Sequence, residues 1–118
     1  MTFTAVIDSF DDYQNQLVKC QAVINQENIC QQLQVLQQIF YQTLWPQVIQ
    51  ADLSQSQWRS ATTEIHRHMR LLAIEVNFLQ SARHTQTYQQ RLEQIEQRLQ
   101  QLHGFTNVLI NLCQKDCQ

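Results

Sequence analysis

The side chains with the widest chemical repertoire in this 118-residue chain are four cysteines, Cys20, Cys30, Cys113 and Cys117, and four histidines, His66, His68, His84 and His103. Thiolates and imidazoles are the usual zinc ligands, but a structural site needs four of them converging on one point. Cys113 and Cys117 are four apart and would share one helix face, while Cys20 and Cys30 flank a candidate turn. His66 and His68 are two apart and diverge on a helix. A carboxylate-bridged di-iron bundle needs Glu-x-x-His on two helices. Here Glu64 is followed at the third position by Arg67, and Glu93 by Glu96. With a single glycine, Gly104, the chain has neither a phosphate-cradling loop nor a nucleophile elbow. Glu93 and Glu96 lie near Arg91 and Arg98, so pairing along the helix accounts for them better than acid–base catalysis. The expectation is a protein without catalytic, metal or cofactor residues, whose histidines lie on solvated helix surface. A metal- or cofactor-binding bundle with a redox or sensing role is the alternative, motivated by the eight Cys and His side chains.

The elements that would position these residues are helices. One glycine and one proline leave almost no turn punctuation. The 24 glutamines are good helix formers without charge and are interleaved with apolar residues at helical spacing, which suits solvated helix faces. The length suits one domain, residues 1–118, with one core. Helix one is predicted over Thr4–Ile24, with Val6, Phe10, Tyr13, Leu17, Cys20 and Ile24 facing inward and Thr2 or Thr4 as its cap. Asn25–Asn28 is a tight connection. Helix two carries Ile29, Leu33, Leu36, Phe40 and Leu44, and Trp45-Pro46 kinks or ends it, since proline has no amide proton. Gln50–Gln57 forms the longest loop, with Trp45 and Trp58 beside it as plugs at the end of the core or, alternatively, as partner anchors. Helix three begins near Gln55, where Ser54 and Gln57 have capping-box spacing, and closes at Ser81. Helix four starts at a second capping box, Thr87 and Gln90, and continues through Leu92, Ile95, Leu99, Leu102, Leu109 and Leu112, with Gly104 marking a bend or a close helix contact. The fold class is all-α, an antiparallel up-down-up-down four-helix bundle with a long C-terminal helix pair. That topology puts the Cys20/Cys30 turn at one end and the C-terminus at the other, too far apart for a shared metal.

The net charge of −2 argues against nucleic-acid binding. No apolar run is long enough to span a membrane, and Asp8 interrupts the apolar N-terminal stretch, so no signal peptide is read there. The expected location is the cytoplasm, with reduced thiols. Charge is uneven: Asp8, Asp11, Asp12, Glu27 and Asp52 outweigh Lys19 in the first half, whereas all six arginines lie at position 59 or beyond. The second half is thus a weakly basic surface, matched either to the acidic first helix or to an acidic partner.

Helix three is apolar on two faces. Ile65, Met69, Leu72, Val76 and Leu79 form one stripe, and Leu71, Ile74 and Phe78 form another beside it. A surface helix in a small bundle needs only one. The second stripe is therefore covered by helices one and two, by a second copy in a homodimer, or by a protein partner. If it is covered, Arg70 and Glu75 pair within the protein. If a partner takes it, Arg67, Arg70, Glu75, Phe78 and Arg83 are the candidate partner-binding residues.

The same stretch carries a family resemblance. Thr62–Arg83 resembles the central signature of the cyanobacterial heterocyst frequency control proteins, PatD, through Glu64, Arg67, Arg70, Leu71, Leu72, Glu75, Phe78, Leu79, Ala82 and Arg83. The likeness covers about 20 residues and is compositional elsewhere. It implies a small non-enzymatic helical regulator that restrains the fraction of cells becoming heterocysts, and it implies association with FtsZ, the tubulin-like division protein, whose assembly such proteins modulate.

Overall fold

The computed structural model describes residues 3–51 and 55–116, and every regular element among them is helical. The elements are α1 (Phe3–Ala22), α2 (Ile29–Ile39), a π-helical turn (Phe40–Leu44), α3 (Trp45–Ala51), α4 (Ser56–Ser81) and α5 (Thr85–Asp116). α2, the π turn and α3 run on without a break and form one arm, so the fold is the expected four-helix bundle. α1 packs on α2 and α5, and α4 packs on α5 and α2, closing the ring. The body measures 51 × 22 × 19 Å, close to the length of α5 alone at about 1.5 Å per residue.

One apolar face from each arm meets in the core. Phe10 of α1 lies edge-on to Trp58 of α4, with centroids 6.4 Å apart. Tyr13 packs against Phe40 at 5.7 Å, and its hydroxyl donates to the Met69 sulfur at 3.0 Å. Burying each such side chain contributes about 1.5–3 kcal/mol. Trp58 is a core plug as expected, but Trp45 remains half-buried.

Glutamine is more than a surface filler. Gln16 is buried, and its amide donates to the Gln32 carbonyl and side-chain oxygen, both at 3.0 Å, tying α1 to α2. Gln14 donates to Asn107 at 2.9 Å and meets His103 at 3.2 Å, tying α1 to α5.

The second arm departs from expectation at Pro46, which does not end the helix. From Ile29 to Val48 is 19 residue steps, and both residues face the core. Five α-helical turns take about 18. The π turn absorbs the extra residue, with the Trp45 N–H reaching back to the Phe40 carbonyl, so Phe40, Leu44 and Val48 stay in line. Pro46 follows directly, where the ladder is already displaced.

Boundaries shift elsewhere too. α1 ends at Ala22, two residues early. α5 starts at Thr85, so the Thr87–Gln90 box falls inside the helix; the His84 carbonyl accepts from the Tyr88 N–H at 2.9 Å. α5 continues through Gly104, where an added Cβ would meet nothing within 4 Å, so no close helix contact explains this glycine. The proposed Thr2 cap, the Ser54 cap and Cys117 lie outside the described residues. Among the described residues no helix is long and apolar enough to cross a membrane.

Candidate partner-binding face

α4 positions every residue of the candidate site except Arg83, and it presents three surfaces. Its core stripe, Ile65, Met69, Leu72, Val76 and Leu79, is buried as expected. The flank toward α5 carries a chain of alternating charge. The Arg98 guanidinium of α5 donates to both Glu75 oxygens, at 3.0 and 2.9 Å, in a bidentate pair that is mostly shielded from solvent. Arg98 Nη1 also donates to His68 Nδ1 at 2.6 Å. An accepting Nδ1 leaves the proton of the neutral imidazole on Nε2, which has the Arg67 guanidinium at 3.4 Å and a Glu64 carboxylate oxygen at 3.6 Å. Arg67 closes the chain on Glu64 at 2.8 Å. Burial first, then the Arg98 and Arg67 charges, hold His68 below its ordinary pKa. The Arg67 hydrogen bond is the main cause that lowers the Glu64 carboxyl.

These contacts correct several expectations. His68 is 5% exposed rather than solvated, and Phe105 covers its ring at 5.2 Å. Glu75 pairs with Arg98, not with Arg70. Arg91 and Arg98 reach to α4 instead of pairing with Glu93 and Glu96. His66 stacks on Trp45 at 4.5 Å.

The third surface of α4 faces outward. Arg70, Ile74 and Phe78 follow one another at four-residue intervals and form a single ridge. Ile74 is 50% exposed and Phe78 48% exposed, while Leu71 beside them is half-buried. The second apolar stripe is thus not covered by the other helices of this chain. Arg91 of α5 lies over the Phe78 ring, 4.9 Å from its centroid, a cation–π contact that fixes one edge of the ridge. Arg67 and Arg70 are exposed on the remaining borders, and Arg83 is exposed in the turn between α4 and α5. Beside Phe78, an open groove of about 400 Å³ runs between α4 and α5, lined by Glu75, Arg91, Gln94, Gln97, Arg98 and Gln101. The candidate residues therefore divide. Arg67, Arg70 and Phe78 share the outward face, Arg83 caps its end, and Glu75 sits at the inner edge, held by Arg98. Sequence reasoning omitted Arg91 and Ile74 from the site. Ile74 was visible as the member of the second stripe that points most directly away from Leu72.

The thiols lie apart from this face. Cys20 is buried, donates to the Gln32 carbonyl at 3.4 Å, and is pushed up to about 11, chiefly by burial. Burial also raises Cys30. Protonated thiols are poor nucleophiles and poor metal ligands. Cys20 and Cys30 sit at the α1–α2 turn, whereas Cys113 lies near the opposite end of the bundle. Among the described residues no three His, Cys, Asp or Glu side chains form a cluster able to hold a metal ion.

The sequence pattern of the CRR41 C-terminal domain matches residues 17–105, about three-quarters of the chain, from the last turns of α1 into the second half of α5. The chain belongs to that family. No curated protein and no solved structure is significantly similar to it.

Proposed function

We propose that this chain is a non-enzymatic regulatory module that binds another protein through the outward ridge of α4. The observation that carries the reading is the pair Ile74 and Phe78, half-exposed one turn apart and bordered by Arg67, Arg70 and Arg91. Isolated apolar side chains on a surface need no explanation, but an aromatic–aliphatic pair in an arginine frame has the composition of an interaction hot spot. The matching partner surface is apolar with a carboxylate rim. Arg83 extends the cationic border at one end, and Glu75 acts by holding Arg98 against α4.

The partner proposed is FtsZ, and the role proposed is control of heterocyst differentiation frequency in a cyanobacterial cytoplasm. Both rest on the resemblance of Thr62–Arg83 to the PatD signature. The CRR41 family name specifies no partner. An adaptor of this kind would act on filament assembly by occupying a surface, with no chemical step.

The test is sedimentation of purified FtsZ filaments with and without the protein at two salt concentrations. Co-pelleting or an altered polymer yield that weakens with salt supports a direct, partly electrostatic contact. Substituting Arg70→Glu together with Arg83→Glu should abolish it while helicity is retained. No effect on FtsZ at either salt removes this partner.

A further inference from the structure

A second exposed stripe runs along the other side of α4, on the arm built from α2, the π turn and α3. Tyr41 is 40% exposed, Trp45 is half-buried and Ile49 is 59% exposed, and they recur every four residues. Trp45 packs against two rings that also neighbour each other, Phe40 at 5.6 Å and His66 at 4.5 Å, both within 30° of parallel to it. Tyr41 stands edge-on to His66 at 6.3 Å. An aromatic side chain fixed in this way loses little conformational freedom when something docks on it. Beside the stripe, Trp45, Val48, Ile49, Trp58, Arg59 and Thr62 line an open groove of about 340 Å³ between α3 and α4.

Among the described residues, the charged side chain that lines this groove is Arg59. Arg59 and Arg70 are exposed on the α4 side, and neither takes part in an ion pair among the described residues. The nearest α4 carboxylate in sequence, Glu64, is turned to the opposite flank by Arg67 and His68.

We propose that this groove is a second docking face beside the Ile74–Phe78 ridge, with Arg70 on the border between them, and that it takes an acidic segment of another protein. An apolar side chain of that segment seats against Trp45 and Ile49, and its carboxylates meet Arg59 and Arg70. The proposal does not depend on FtsZ or on any occupant of the ridge. With two neighbouring faces, one bundle can hold two protein segments side by side.

The test uses the full chain labelled for NMR. The probe is a short amphipathic peptide with Leu and Phe at i, i+4 spacing on a Glu background. A control peptide has Lys in place of Glu. The expected result is movement of the Trp45 indole and Ile49 methyl signals, with the Ile74 methyl signals unmoved. Ile49→Glu and Arg59→Glu, both at exposed positions, should each weaken binding about tenfold or more with the melting temperature kept. Ile49→Ala, which removes contact without adding charge, should weaken it less. The proposal is overturned if the acidic peptide moves no signals, if the Lys peptide moves the same ones, or if only the ridge responds. It is also overturned if Ile49→Glu turns a concentration-dependent dimer into a monomer, since a second copy is then the occupant.

Discussion

On the flank of α4 that meets α5, each charged side chain has a partner: Glu75 and His68 take Arg98, and Glu64 takes Arg67. On the outward ridge of the same helix, Arg70, Ile74 and Phe78 make no comparable set of contacts with other helices; Arg91 over Phe78 is the exception. Residue types do not separate the two regions, because both draw on arginine and both lie within a few turns. Position relative to α5 does. A guanidinium across a helix interface can engage a carboxylate and an imidazole at once, whereas one facing water gains little from an ion pair. The flank therefore holds the bundle together, whereas the ridge adds little to its packing and is the surface proposed for recognition.

The widest separation should come from two apolar residues two positions apart. Leu72→Ala empties a fully buried site and should cost about 3 kcal/mol in urea unfolding. Ile74→Ala, on the ridge, should stay within about 0.5 kcal/mol. A large loss at Ile74 would mean that the ridge is covered in solution, by a second copy in particular.

Breaking the flank should have the next largest effect. Arg98→Ala strands Glu75 and His68 together and should lower stability by about 2 kcal/mol. Arg70→Ala should barely register in the same assay. Equal effects would erase the distinction between flank and ridge.

Gly104→Ala should raise stability by about 0.5–1 kcal/mol, because the position is helical and an added Cβ meets nothing. A destabilised variant would show that the glycine serves a contact outside this chain.

The smallest effect is pH dependence through His68. Its folded pKa lies below the ordinary value of 6.5, so in the window beneath 6.5 the unfolded chain binds more protons. Stability contributed by the neutral imidazole is present above that window and lost as pH falls through it. His68→Gln, which keeps an acceptor for Arg98, should flatten the slope there. Protonation of Glu64 acts below the carboxylate value of 4.5 and so falls in a separate range.

Much of the fold was legible because apolar spacing carries it. The core stripes of α1, α4 and α5 and the antiparallel order follow from steps of three and four residues and short connections. The π turn was legible in principle. Leu36, Phe40, Leu44 and Val48 recur at three consecutive steps of four, a longer period than an α-helix sustains on one face. Assigning the irregularity to Pro46, as a kink or an end, hid that signal. The candidate site was half legible. The second stripe of α4 announced the ridge, but the partners of Glu75, His68 and Arg91 depend on how α5 is set against α4. No pattern within either helix encodes that register, so pairing along one helix was expected where pairing across two occurs.

Photo-crosslinking tests the role of the ridge most directly. A benzoylphenylalanine placed at Ile74 would report contact there. One at Glu96, one heptad before the His103 that faces α1, would serve as the comparison site. With purified FtsZ, the expected result is an adduct from position 74, lost in the presence of excess unlabelled protein, and none from position 96. Adducts from 96 alone, or equally from both, would contradict the assignment of the outward face of α4 as the binding surface.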